Sequence, residues 1–185
     1  GLSRWSIVNL AAVVAVLGLV TVQALDHPQR IWSPYYRIDF LVDGRPLTHV
    51  MVDGIPHQAL WDADTPDKEE FYDQIYRWLP DQEFPNVLVI GAGSGVDVEM
   101  ALRNGAQHVD AGEIDPEIQQ IGVERNPDQA YLDPRVSRHV NDGRAFLRTS
   151  DDRYDLIVFA LPDSLTRVSS QSALRLESFL FTEEA

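Results

Sequence analysis

The chain contains no cysteine. That excludes disulfide bonds, thiol nucleophiles and cysteine-ligated metal, and it leaves the redox compartment open. Lysine is nearly absent too: Lys68 is the only one, so the basic complement is otherwise arginine. Positive charge is scarce overall, with 15 Lys+Arg against 29 Asp+Glu and a net charge of −14. Such a surface repels a phosphate backbone, which argues against nucleic acid as a partner. It suits a cationic small molecule, although solubility alone also accounts for it. The five histidines are scattered without a metal-ligand spacing, so no metal is expected. His57 lies beside a candidate substrate strand and otherwise reads as a loop residue.

Charge is also missing locally. From Trp5 to Leu25, 21 consecutive residues carry none. A helix of that length spans about 30 Å, the thickness of a bilayer's hydrocarbon core. Trp5 stands at one edge, where aromatic rings favour the headgroup region. The segment is therefore expected to be a transmembrane helix, with a lipid bilayer as its partner. A signal sequence or a buried helix are the alternatives.

The remainder shows two patterns. Residues 36–60 read as short strands of a small antiparallel meander, with Asp43-Gly44 and Asp53-Gly54 as turn signals. Residues 68–79 read as a helix through Phe71, Ile75 and Leu79, stopped by Pro80. Beyond residue 85, strands and helices alternate. Val87-Leu-Val-Ile is a run suited to a strand buried on both faces. Further strands are expected at His108–Ile114, Arg135–Val140 and Tyr154–Leu161, with helices between them and a last one over Ser172–Phe179. The fold class is thus α/β, with a Rossmann-like parallel sheet after a β meander. The expected domains are a transmembrane helix and flank (1–28), the meander (29–66), and a nucleotide-binding domain (67–185). The last is expected to lack its C-terminal part, because only four of its strands are present.

Gly91-Ala92-Gly93-Ser94-Gly95 leaves the first parallel strand and enters a helix. Glycines there permit a tight turn and close approach of a ligand to the main chain. Glu113, 22 residues after Gly91, ends the second strand, where a carboxylate can accept from ribose hydroxyls. Val96 occupies the sixth position, where the NAD fingerprint has glycine. The pattern matches sites for S-adenosylmethionine instead. Ile114, and Asp142-Gly143 after the third strand, complete the expected cofactor-binding set, with Asp142 placed for the adenine amine.

These motifs together resemble the spermidine synthase (polyamine aminopropyltransferase) family, in the branch with an integral membrane domain before the synthase-like domain. Ser33-Pro-Tyr-Tyr-Arg-Ile, Val52-Asp53-Gly54 with Gln58, Glu70-Phe71-Tyr72, the glycine turn, Gly112-Glu113-Ile114-Asp115, Asp133-Pro134-Arg135-Val136, Asp142-Gly143 and Tyr154-Asp155-Leu156-Ile157 follow in family order. The resemblance implies S-adenosylmethionine or its decarboxylated form as cofactor, and a polyamine as the cationic substrate. It implies substrate-binding roles for Gln58, Tyr72 and Asp163, a homodimer, and a membrane-bound chain with its soluble part in the cytoplasm. Several positions depart from the family. Where the family ends its fourth strand with Asp-x-x-Asp-Pro, this chain has Ala160-Leu161-Pro162-Asp163. The usual base is therefore Ala160, and Asp163 is the remaining catalytic candidate. Ser94 stands where the family's glycine loop carries Asp, and Tyr36 where its opening carries Gln. A methyltransferase or a non-catalytic ligand-binding domain are the competing readings.

Overall fold

In a computed structural model of the chain, residues 4–25, 29–42, 48–60 and 70–160 are described. The chain divides into two compact units, Gly1–Arg30 and Ile31–Ala185.

The first unit holds one helix, α1 (Arg4–Leu25). Its side chains are described from Val8 to Val22, and its large apolar residues are 55% to 61% exposed, from Val13 to Leu19 and Val22. Thr21 returns its hydroxyl to the carbonyl of Leu17 at 2.7 Å, so its polar group is satisfied within the helix. The helix coincides with the charge-free run. Among the described residues no helix is long and apolar enough to cross a membrane. The transmembrane span expected from sequence is therefore not established by the fold.

The second unit begins with a four-stranded sheet in the order β1 (Arg30–Trp32), β2 (Arg37–Val42), β3 (Thr48–Val52), β4 (Ile55–Leu60). Strands β2, β3 and β4 pair antiparallel. Asp53 and Gly54 both have positive φ, 52° and 84°, the geometry of a tight two-residue hairpin turn. The register of β3 and β4 breaks at one point. Val50 faces Gln58 and Met51 faces Pro56, which leaves His57 as an extra, bulged residue.

A 3₁₀ turn (Glu70–Asp73) leads into the short helix α2 (Gln74–Trp78). The expected helix over 68–79 is thus shortened. Asp73 precedes it without a side-chain capping bond, so nothing local extends the helix towards its N-terminus. The parallel sheet follows in the order β7 (Val136–Val140), β6 (His108–Glu113), β5 (Asn86–Ile90), β8 (Leu156–Phe159). Helices α3 (Val96–Arg103), α4 (Pro116–Arg125) and α5 (Gly143–Thr149) connect the strands.

Alternation along β5 explains why the sheet needs cover on both sides. Val87 and Val89 pack with Val98 and Ala101 of α3 and with Tyr131, whereas Leu88 and Ile90 pack with Phe146 of α5. On the α5 face the buried carboxylate of Asp110 is met by His139 at 2.7 Å, Tyr154 at 2.9 Å and His108 at 3.1 Å. The meander closes its own core, Ile38, Phe40, Val50, Val52 and Leu60, against Ile118 and Ile121 of α4. One helix therefore carries both layers and ties the meander to the carboxyl edge of the parallel sheet.

Candidate functional site

Strand register brings the predicted cofactor residues together. Ile90 pairs with Gly112, Gly112 with His139, and Glu113 with Val140. The segments that leave these strands, Gly91–Gly95, Ile114–Asp115 and Asn141–Gly143, emerge at one edge, the usual place for a ligand in such a sheet. The Asn141 amide donates to the Glu113 carbonyl at 3.0 Å, which holds the third segment beside the second. Asp142 caps α5 by accepting from the Ala145 amide at 2.9 Å.

The glycine turn needs its glycines. Gly91, Gly93 and Gly95 have φ of 74°, 54° and 93°, which residues with a Cβ adopt only at a cost. A Cβ on Gly93 would also lie 2.7 Å from Gln58 Oε1, and one on Gly95 would lie 3.0 Å from the Tyr131 ring.

Every amide of this turn already has a partner. Gly91 and Ala92 both donate to the Gly112 carbonyl, at 2.9 and 3.0 Å, and Gly95 donates to the Ala92 carbonyl at 2.9 Å. The Gly93 amide donates to Glu113 Oε2 at 2.8 Å, and the Ser94 amide to Gln58 Oε1 at 2.9 Å. A pyrophosphate, which binds such turns through free N–H groups, finds none from Gly91 to Gly95. Val96 at the sixth position departs from the dinucleotide pattern as well.

Glu113 is buried at 7% exposure. Its Oε1 accepts from the Asp115 amide at 2.9 Å and its Oε2 from the Gly93 amide, so both carboxylate oxygens are oriented by the main chain. Burial raises its pKa, the amides of Asp115, Gly93 and Ile114 oppose this, and the charge of Asp115 adds to the rise. A carboxylate held in place by the main chain is the kind of acceptor a ribose diol needs. Ile114 contributes through its main chain, one of the amides that face Glu113.

The support behind the turn was not legible in the sequence. Tyr131 donates its hydroxyl to the Gly93 carbonyl at 2.8 Å, and Asn126 donates to the Ser94 carbonyl at 3.2 Å. Gly122 of α4 lets that helix approach: a Cβ there would sit 2.6 Å from the Tyr131 ring and 2.7 Å from the Ser94 carbonyl. An interior helical glycine costs about 1 kcal/mol relative to alanine, so Gly122 was the one available signal. Asp115 is fully buried, accepts from the amides of Glu117 and Ile118, and also accepts from the Ser33 hydroxyl at 2.5 Å. That bond fastens the start of the meander to the site.

The expected substrate residues are distributed unevenly. Gln58 lies on the glycine turn, bonded to both the amide and the hydroxyl of Ser94. Tyr72 lies in the 3₁₀ turn with its ring 4.4 Å from that of Phe71. Ala160 continues the β8 ladder by donating to the Ile90 carbonyl at 2.9 Å, next to Gly91. A side chain that can neither accept a proton nor hold an ammonium thus stands at the usual base position. Asp163 and the helix expected over 172–179 lie outside the described residues. His57, the bulged residue, has its pKa lowered by burial, with the charge of Asp115 pulling the other way. Among the described residues no group of His, Asp or Glu could hold a metal ion.

Fold and turn together define a Rossmann-like α/β protein. No protein-family model matches the chain. A polyamine aminopropyltransferase of Lachnoclostridium phytofermentans is 38% identical over 104 residues, covering 52% of this chain and 37% of that protein. One from Leptospira biflexa is 31% identical over 160 residues, 82% of this chain and 53% of its own length. Spermidine synthase 1 of Hyoscyamus niger is 36% identical over 101 residues, 51% of this chain and 32% of its own. The chain thus spans between about a third and about half the length of these relatives. A spermidine synthase crystallised with the transition-state analogue AdoDATO shares the fold with a TM-score of 0.60 at 21% identity, over 84% of this chain and 52% of that one. Spermidine synthase from Thermotoga maritima does so at 0.55 and 20% identity, over 71% of this chain and 48% of that one. Over the matched segments, the chain is homologous to the spermidine synthase, or polyamine aminopropyltransferase, family.

Proposed function

We propose that this chain forms the nucleoside half of an aminopropyltransferase-type site and binds S-adenosylmethionine or its decarboxylated form. The observation that carries the reading is the pairing of Glu113 with Gly93: a buried, oriented carboxylate beside the glycine turn. The homology supports transfer of an aminopropyl group to a polyamine. In that reaction an amine nitrogen attacks the carbon next to the sulfonium, the C–S bond breaks, methylthioadenosine leaves, and the amine proton passes to a base. With Ala160 at the base position, transfer is expected to run slower by on the order of 10²–10⁴ than with a carboxylate there.

Incubation with decarboxylated S-adenosylmethionine and putrescine, with spermidine and methylthioadenosine quantified, tests the transfer. Calorimetric titration with methylthioadenosine tests the site alone. Glu113→Ala is expected to abolish that binding, and unchanged affinity refutes the ribose assignment. Ala160 favours a second reading, in which the same ligand serves another transfer or is only bound. Binding without spermidine formation is its expected signature.

We also infer a membrane attachment through α1, with the second unit on the cytoplasmic side where such cofactors are made. Its support is the charge-free run and the exposure of Leu10, Val14, Leu17 and Leu19 at 59% to 61%. Flotation of the whole chain with phospholipid vesicles tests this. Recovery of the chain at the bottom of the gradient refutes it.

A further inference from the structure

The Ser33 hydroxyl, in the turn between β1 and β2, is aimed by its own backbone. Its oxygen accepts from the amides of Tyr35 at 3.1 Å and Tyr36 at 2.9 Å, which occupies both lone pairs. Its one hydrogen is left for an acceptor, and the Asp115 carboxylate receives it. The Tyr36 carbonyl lies farther off, at 3.3 Å, and already holds the Ser33 amide at 2.9 Å. The donor is thus set in direction by local bonds.

Asp115 has no exposed surface, so its charge must be met by the protein. Its Oδ1 takes the amides of Glu117 at 2.9 Å and Ile118 at 3.3 Å, which caps α4. Among the described residues, Ser33 is the one donor to Oδ2. The main chain of the same residue serves the site, because the Asp115 amide donates to Glu113 Oε1 at 2.9 Å. Two buried carboxylates therefore stand two positions apart. The Glu113 pKa is raised first by burial, and the charge of Asp115 adds to that rise. The other titratable groups facing the pair are His57 of β4, on Asp115, and Tyr131 after α4, on Glu113. Burial holds His57 below its usual value, so at pH 7 and above it gives Asp115 no counter-charge.

We propose that Ser33 is a positioning residue for the ribose carboxylate: through Asp115 it holds Glu113 in place and screens it from a like charge. The inference rests on the nucleoside-site reading and gives the first turn of the meander a part in ligand affinity. No contact between Ser33 and the ligand is required.

Calorimetric titration of the whole chain with methylthioadenosine, repeated from pH 5 to pH 8, reads the effect, with urea denaturation of each variant alongside. Ser33→Ala removes the donor. Binding at pH 7 is expected to weaken about ten-fold, within the range that residues without ligand contact produce. A carboxylate facing a less screened like charge protonates more readily. The loss of affinity on acidification should therefore begin at higher pH than in the unaltered chain. Ser33→Thr keeps the hydroxyl and is expected to restore both affinity and profile. Asp115→Asn keeps a cap for α4 and removes the like charge, so its loss should begin at lower pH. A merely structural Ser33 would lower stability and leave the pH profile where it was. Folded Ser33→Ala that binds like the unaltered chain at every pH overturns the proposal, and so do Ser33→Ala and Asp115→Asn profiles displaced in the same direction. If Ser33→Ala does not fold, Asp115→Asn decides, and a profile not displaced to lower pH overturns the proposal. If methylthioadenosine does not bind the unaltered chain, the nucleoside-site reading itself fails, and this proposal with it.

Discussion

The hydroxyl of Tyr131 donates to the carbonyl of Gly93 at 2.8 Å, from a ring that is 3% exposed. This bond ties the glycine turn to the segment that follows α4. Tyr131→Phe keeps the ring in place and leaves the Gly93 carbonyl unpaired. A buried carbonyl without a partner costs about 1–3 kcal/mol. The variant should unfold at lower denaturant by that amount, and methylthioadenosine should bind more weakly. Stability and affinity both equal to the unaltered chain refute the supporting role.

Gly122→Ala sets two effects against each other. Helix propensity favours alanine by about 1 kcal/mol. The new Cβ would lie 2.6 Å from the Tyr131 ring and 2.7 Å from the Ser94 carbonyl. One neighbour is main chain and the other is a packed ring, so neither moves cheaply, and overpacking of this kind costs about 1–3 kcal/mol. The clash should win. Denaturation should show a net loss, and α4 should shift away from the turn. A variant as stable as the parent means that the approach of α4 is looser than described.

Asp115 joins two jobs in one side chain: it caps α4 and anchors Ser33. Asp115→Ala should cost about 1 kcal/mol for the cap and a further loss for the anchor. Ser33→Ala removes only the anchor and should cost less. Because both substitutions break the same bond, the double variant should be more stable than the two single losses predict together. Additive losses in urea denaturation refute a shared bond.

The parallel sheet was legible because strands buried on both faces read as apolar runs, and because the turn after β5 and the acid ending β6 are local signals. The meander was legible only in part. Ile55-Pro-His-Gln-Ala-Leu does not alternate cleanly, since Pro56 breaks the pattern and the bulge at His57 shifts it. Arg30–Trp32 is too short to show a period. Gln58 was identified for a substrate role, but its contact with Ser94 joins positions 36 residues apart, which no local pattern encodes. Tyr131 and Asn126 carry no motif either. Their value lies in where the chain returns after α4.

Asp97, in the first turn of α3, gives the sheet unit a pH dependence. Burial raises its pKa to about 7, and its own amide opposes the rise only partly. Its charge also pushes the hydroxyl of Tyr76, already raised by burial, to about 12, and the Tyr76 oxygen is buried without a hydrogen-bond partner among the described residues. A carboxyl with a raised folded-state pKa stabilises the fold when protonated. Its contribution is fully present below the unfolded value of 3.8 and is lost as pH rises through about 7. Asp97→Asn keeps the shape and removes the charge. The variant should therefore be the more stable protein at pH 8, and the difference should shrink steadily as pH falls towards 4. Denaturation midpoints of both proteins across that range check this. A difference independent of pH refutes the titration of Asp97. A parent more stable than the variant at pH 8 means that its carboxylate has a cationic partner rather than an uncompensated charge.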